Sequence, residues 1–182
     1  MLSRFAKWLF AVFGWQVTGE FPFHVPKFII AVAPHTSNWD FPLGIFTKTI
    51  LKAPVKFAAK HTLFVWPFGY LFRFLGGIPV DRSKRSNFVD AVVHEFNTRD
   101  QLWLTIAPEG HRNRVEKFKT GFYYIAKGAN VPIVLCKFDW ATHEVFFEKN
   151  LFWPTDDAEK DLAFIWDYFR GVKGKRPEHG VF

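Results

Sequence analysis

One cysteine, Cys136, stands among the 182 residues, so no disulfide can form within the chain and a stapled secreted scaffold is excluded. There is no CxxC and no HExxH, and no metal site is expected. Cys136 lies in the apolar run 131–138 (VPIVLCKF), where it reads as a small buried hydrophobe rather than a nucleophile, and a cytoplasmic setting is permitted. No apolar run reaches the ~18 residues needed to span a bilayer. Internal repeats, low-complexity tracts and an interdomain linker are also missing, which leaves one domain as the expectation. RNP, KH and helix-turn-helix signatures are missing too, and the basic residues are spread along the chain, so no nucleic-acid partner is expected.

What the chain does have is positive charge and aromatic bulk. Lys and Arg number 24 against 17 Asp and Glu, a net charge of +7 that calls for an anionic partner: nucleic acid, an acidic membrane surface or a phosphorylated substrate. The 24 Phe and eight Trp exceed the usual needs of a core this size, and their mixture with Arg and Lys favours a lipid interface. Residues 2–15 (LSRFAKWLFAVFGW) carry Arg4 and Lys7 ahead of a short block, Trp8 to Phe13, dominated by bulky aromatics. We read an interfacial helix whose Phe5, Trp8, Leu9, Val12 and Phe13 meet the membrane. A secretory signal is the competing reading, weakened by the lack of a small-x-small site between Trp15 and Phe21; an ordinary core helix is the third.

Periodicity gives an alternating order. Residues 27–33 (KFIIAVA) form a buried strand, and 58–75 an aromatic, helical passage ending at Gly76-Gly77. Residues 78–80 form a short strand, and 88–97 a helix capped by Ser86 with Phe88, Val89, Val92, Val93 and Phe96 on one face. Strands follow at 102–107 and 131–138, with a helix at 120–127 between them and an added strand at 144–148. A last helix starts near Thr155, with Asp156, Asp157 and Glu159 at its positive end and Leu162, Ile165, Trp166 and Phe169 on its packing face. The expected fold is therefore α/β: a single domain with a mostly parallel central sheet flanked by helices, and ligands at the carboxyl ends of the strands. The expected divisions are an N-terminal interface helix (1–20), the main domain (21–170) and a basic, loosely ordered tail (171–182).

The chemistry concentrates in Pro34-His35-Thr36-Ser37-Asn38-Trp39-Asp40, where the first strand hands over to a helix. Five residues on one helix turn through about 500°, leaving two side chains roughly 140° apart, so His35 must precede the helix if it is to meet Asp40. Thr36, Ser37 or Asn38 can cap that helix, and Asp40 in its first turn can fold back onto the imidazole. A carboxylate on one ring nitrogen fixes the tautomer and leaves the other to take a proton from a hydroxyl. A capping aspartate beside a loop histidine explains the same residues without chemistry.

Further blocks follow in order. His35 and Asp40 match an HxxxxD motif, and the stretch from Lys60 to Gly69 (KHTLFVWPFG) leads to Gly77-Ile78-Pro79-Val80-Asp81-Arg82. Then come Pro108-Glu109-Gly110-His111-Arg112, Phe118-Lys119-Thr120-Gly121 and Val131-Pro132-Ile133-Val134. This succession, over roughly residues 27–137, resembles the glycerolipid acyltransferase family that includes the lysophosphatidic acid acyltransferases. His111 departs from the threonine usual in the third block, and Leu135-Cys136 from the second proline common after the fourth. The catalytic pair is intact.

The resemblance implies a membrane-associated O-acyltransferase moving a fatty acyl group from an acyl thioester, acyl-CoA or acyl carrier protein, to the hydroxyl of a lysophospholipid such as lysophosphatidic acid. No bound cofactor is implied, and the setting is the cytoplasmic face of the cell membrane, peripheral or monotopic, on an anionic surface. His35 and Asp40 are then the general-base pair, and Arg82 and Arg112 grip phosphate oxygens bidentately, where surface salt bridging is the plain alternative. Glu109 binds or orients, or else holds Arg112; Gly110 permits a tight turn close to substrate. His111 is an exposed loop imidazole or a second titrating group. Phe64, Trp66 and Phe68 hold acyl chains or the membrane face, with core packing as the alternative. Two rival functions stay open: a thioester hydrolase using the same base with water, and a non-catalytic membrane-lipid-binding protein.

Overall fold

The architecture, taken from a computed structural model that describes residues 1–66, 68–80 and 85–181, grows outward from β2 (Lys27–Ala33), six of whose seven residues are buried. A strand buried on both faces carries an unbroken apolar run, which is why KFIIAVA shows no alternation. Its odd residues Ile29, Ala31 and Ala33 join a core with Phe96, Leu104, Phe122, Ile125, Ile165 and Phe169. The even residues Phe28, Ile30 and Val32 join a second core with Phe10, Leu43, Trp103, Val134, Cys136 and Phe147. Because successive side chains point to opposite faces, one strand builds both cores.

Seven strands make one sheet, adding β1 (Gln16–Gly19), β3 (Lys56–Lys60), β4 (Gly77–Val80), β5 (Leu102–Ile106), β6 (Ile133–Asp139) and β7 (Glu144–Phe147) in the order β1-β7-β6-β2-β5-β3-β4. Every pairing is parallel except β6 with β7. Helices α1 (Leu2–Val12) and α2 (Asp40–Leu51) cover one face, while α4 (Arg85–Thr98), α5 (Gly121–Ala129) and α6 (Ala158–Phe169) cover the other; α3 (Phe68–Phe74) is a seven-residue helix beside β4. The sheet and its two helical layers are those expected of an α/β fold.

Three elements differ from the expected ones. The passage 58–75 is not one helix: its first residues belong to β3, a 3-10 turn follows at His61–Phe64, and only Phe68–Phe74 is α-helical. Lys56–Lys60 (KFAAK) has the alanines of a helix, but β4 and β5 offer it a parallel ladder on each side, and tertiary pairing overrides propensity. The strand β1 was not foreseen, being four residues with no fully buried position. The segment after Gly171 is packed rather than loose. Val172 and Val181 are buried, Gly171 N donates to Val181 O, and Trp140 N donates to Lys173 O.

Candidate active site

The three central strands β6, β2 and β5 run parallel, so their carboxyl ends share one edge of the sheet. His35 follows the end of β2, Glu109 the end of β5, and Trp140 the end of β6. Residues separated by about a hundred positions in sequence thereby meet at one turn.

That turn is held by its own polar groups. Trp39 is the residue before α2 and makes no side-chain cap, so the expected capping by Thr36, Ser37 or Asn38 is replaced. Asp40 reaches back instead, its Oδ2 accepting from Ser37 N at 2.8 Å, while Ser37 Oγ accepts from Trp39 N at 3.2 Å. The carboxylate thus satisfies an amide of the turn before the helix and sits at the positive end of the helix dipole. The same Oδ2 lies 3.3 Å from His35 Nδ1, and Oδ1 accepts from the indole Nε1 of Trp140 at 2.9 Å. Asp40's side chain is fully buried, His35's 22% exposed. The imidazole thus has one edge on a fixed carboxylate and is itself open to the solvent side.

Glu109 sits below the histidine. It is 1% exposed, and its carboxylate accepts from the backbone amide of His35 at 2.8 Å and 3.1 Å. Burial pushes its carboxyl up to about 8 from the ordinary 4.5, with the nearby Asp40 charge adding to the rise. The His35 N–H bonds favour the anion and oppose this, but the desolvation is larger. Glu109 thus holds the backbone of His35 and is not part of the cleft wall.

His35 and Asp40 open into a cleft of about 570 Å³. Val32, Phe41, Ile45, Val55, Phe57 and Phe138 give it an apolar lining, Lys48, Lys56 and Arg112 its positive charge. Asp40 is its only acid among the described residues. Gly110, His111 and Arg112 line it as well, His111 and Arg112 being exposed. Gly110 has φ +73°, a left-handed conformation that side chains rarely adopt, so the turn after Glu109 favours glycine. Lys48 donates to the carbonyls of Val55 at 2.7 Å and Leu75 at 2.9 Å; burial, and then the neighbouring Lys56, lower its pKa. The small Ala58 and Ala59 of β3 leave room beside it.

Among the other expected site residues, Arg82 lies outside the described residues, as does Asp81. Phe5, Trp8, Val12 and Phe13 are exposed on or just after α1, with Leu9 half-buried; Ala6 and Phe10 are the helix's buried contacts, and Ser3 donates to Ile50 O of α2. Trp66 and Phe68 are exposed, while Phe64 is half-buried against Phe72. Cys136 is 1% exposed, and burial pushes its thiol far above the ordinary range. Among the described residues no group of three or more His, Cys, Asp or Glu is placed to hold a metal ion.

Sequence reasoning missed Trp140, as it did the cleft cations Lys48 and Lys56. The signal for Trp140 was positional: it is the first residue after a strand that pairs, in parallel, with the strand leading to His35.

A sheet whose central carboxyl edge presents a His-carboxylate pair to an apolar, basic cleft defines a class, and the family model described as Acyltransferase matches residues 15–138. The chain belongs to the acyltransferase family. Its relatives include the 1-acyl-sn-glycerol-3-phosphate acyltransferase of Salmonella typhimurium, 32% identical over 112 residues that make up 58% of this chain and 44% of that one. The enzyme of the same name from Haemophilus influenzae is 29% identical over 140 residues, 71% of this chain and 57% of that one. The chain thus spans about half the length of the curated relatives it matches. The crystal structure of the 1-acyl-sn-glycerophosphate acyltransferase PlsC from Thermotoga maritima shares the fold, with a TM-score of 0.61 at 24% identity over 94% of this chain and 76% of that one.

Proposed function

We propose that the protein transfers a fatty acyl group from an acyl thioester to the hydroxyl of a lysophospholipid, lysophosphatidic acid being the foremost acceptor and phosphatidic acid the product. The observation that carries this is the His35–Asp40 pair at 3.3 Å opening into a cleft lined by apolar side chains and three cations. Apolar lining suits an acyl chain, and Arg112 with Lys48 and Lys56 suits a phosphate-bearing acceptor. The match to acyltransferases that act on 1-acyl-sn-glycerol-3-phosphate supports the same acceptor.

With Asp40 on Nδ1, His35 Nε2 takes the proton of the acceptor hydroxyl as its oxygen attacks the thioester carbonyl carbon. The tetrahedral intermediate collapses by breaking the carbon–sulfur bond, and the departing thiolate takes the proton back from Nε2. The acyl group passes directly between substrates, so no covalent enzyme intermediate and no bound cofactor enter the reaction. The donor is acyl-CoA or acyl carrier protein, which puts the enzyme on the cytoplasmic face of the cell membrane. Peripheral or monotopic attachment fits the exposed Phe5, Trp8, Val12 and Phe13, together with Trp66 and Phe68. No helix among the described residues is long and apolar enough to cross a membrane.

The test supplies purified protein with acyl-CoA or acyl carrier protein, with and without lysophosphatidic acid, and follows products by mass spectrometry. Phosphatidic acid that depends on the lysolipid is expected. Free fatty acid released at the same rate without it would make the protein a thioester hydrolase, and no turnover of either kind across several lysolipids would leave a lipid-binding protein.

A further inference from the structure

Two residues flanking the His35 turn are gripped by the last described segment of the chain. Before the turn's helix, Thr36 is 1% exposed and its Oγ1 accepts from Arg176 N at 3.1 Å. Gly174 lies so close to Thr36 that a Cβ would stand 2.5 Å from its Oγ1 and 2.7 Å from its Cγ2, so this crossing requires glycine. On the other side, Trp140 N donates to Lys173 O at 2.8 Å, and the Lys175 ammonium stands over both the Trp140 ring, at 4.8 Å, and the Trp39 ring, at 4.4 Å. Trp140 in turn donates its indole N–H to Asp40 Oδ1. The segment is fixed at its far end, where His179 Nδ1 bonds to the Arg112 carbonyl at 2.9 Å and Val181 is buried.

We infer that Trp140 is a positioning residue for the His35–Asp40 pair, and that the strap formed by residues 173–176 holds it there. Asp40 has two carboxylate oxygens, and only Oδ2 faces both Ser37 N and the imidazole. The indole N–H on Oδ1 prevents the carboxylate from rotating, which sets the direction of the bond that orients His35. Geometry at the base matters most in the transition state, because a small misplacement there slows proton transfer while substrate still binds. None of residues 173–176 lines the cleft, so the strap acts on the pair through Trp140 and Thr36.

The inference rests on the acyl-transfer reading, and its experiment separates the two. Trp140→Phe keeps an aromatic plane and removes the N–H; Gly174→Ala pushes the strap from Thr36. For lysophosphatidic acid and acyl-CoA, Trp140→Phe is expected to lower kcat about 10-fold or more with KM within about twofold, and Gly174→Ala to show the same split more weakly. A kcat for Trp140→Phe within about twofold of the unaltered protein, or a loss carried by KM, would overturn the inference. Where Trp140→Phe fails to fold, Gly174→Ala carries the same comparison. In protein labelled with 15N at tryptophan, the Trp140 indole N–H signal is expected to move in Asp40→Asn; a signal that stays in place overturns the contact itself. If the unaltered protein transfers no acyl group, the functional reading fails while the labelled-indole measurement still decides the positioning of Asp40.

Discussion

At the residue scale, each carboxylate near His35 has a different job, set by its surroundings. Asp40 is buried and accepts N–H bonds on both oxygens, from Ser37 on Oδ2 beside His35 Nδ1 and from Trp140 on Oδ1. Asp40→Asn keeps the shape and removes the charge; kcat is expected to fall by about 10²-fold or more, since the base loses its orienting anion, while lysolipid KM changes little. Steady-state kinetics on the two proteins check this, and equal kcat values would remove Asp40 from the mechanism.

Glu109 carries a different consequence. Its carboxyl titrates near 8 in the folded chain against an ordinary 4.5, so the folded state binds more protons across that interval. A raised acid pKa stabilises the fold fully below the lower value, and the benefit is lost as pH rises through the upper one. The melting temperature is therefore expected to fall between pH 4.5 and 8 in the unaltered protein. Glu109→Gln retains an oxygen for the His35 amide and is expected to flatten that slope; identical slopes in thermal melts would contradict the assignment.

At the scale of elements, α1 packs on α2 through Phe10 against Phe46 while showing Phe5 and Trp8 to solvent. Those two rings also stack on each other, at 5.9 Å. An exposed aromatic pair adds little to folding, so the variant Phe5→Ser with Trp8→Ser is expected to keep its melting temperature and lose sedimentation with anionic vesicles. Unchanged vesicle binding would remove α1 from the membrane contact. Lys48 acts between elements, joining α2 to the carbonyls before β3 and β4. Lys48→Met leaves two carbonyls without their donor and is expected to cost about 1–3 kcal/mol in denaturant unfolding.

The elements also show what a sequence reveals. The strand β2 and the helix face of α4 through Val92 and Phe96 were legible because burial on one or both faces writes a period into the residues. The His35–Asp40 pairing was legible because strand end, turn and helix start fall within eight positions. Lys56–Lys60 was not, since its strand character comes from β4 and β5 on either side rather than from KFAAK itself. Trp140 and the strap were hidden for the same reason: their contacts with Asp40 and Thr36 join residues 100 and 140 positions apart. A glycine-rich basic stretch such as GVKGKR looks disordered when its partners lie at the other end of the chain.

For the whole molecule, a net charge of +7 stands beside exposed aromatics, the combination that the proposed anionic membrane surface would take up. The sheet supplies the rigid platform, with three parallel carboxyl edges bringing His35, Glu109 and Trp140 together. The central claim is that His35 is the general base for acyl transfer to a lysolipid hydroxyl. The most direct measurement is phosphatidic acid formed from lysophosphatidic acid and acyl-CoA by the unaltered protein and by His35→Ala in the same detergent or vesicles. The account predicts product from the first and a loss of about 10³-fold or more in the second, with melting temperatures alike. Equal rates from the two proteins would contradict it.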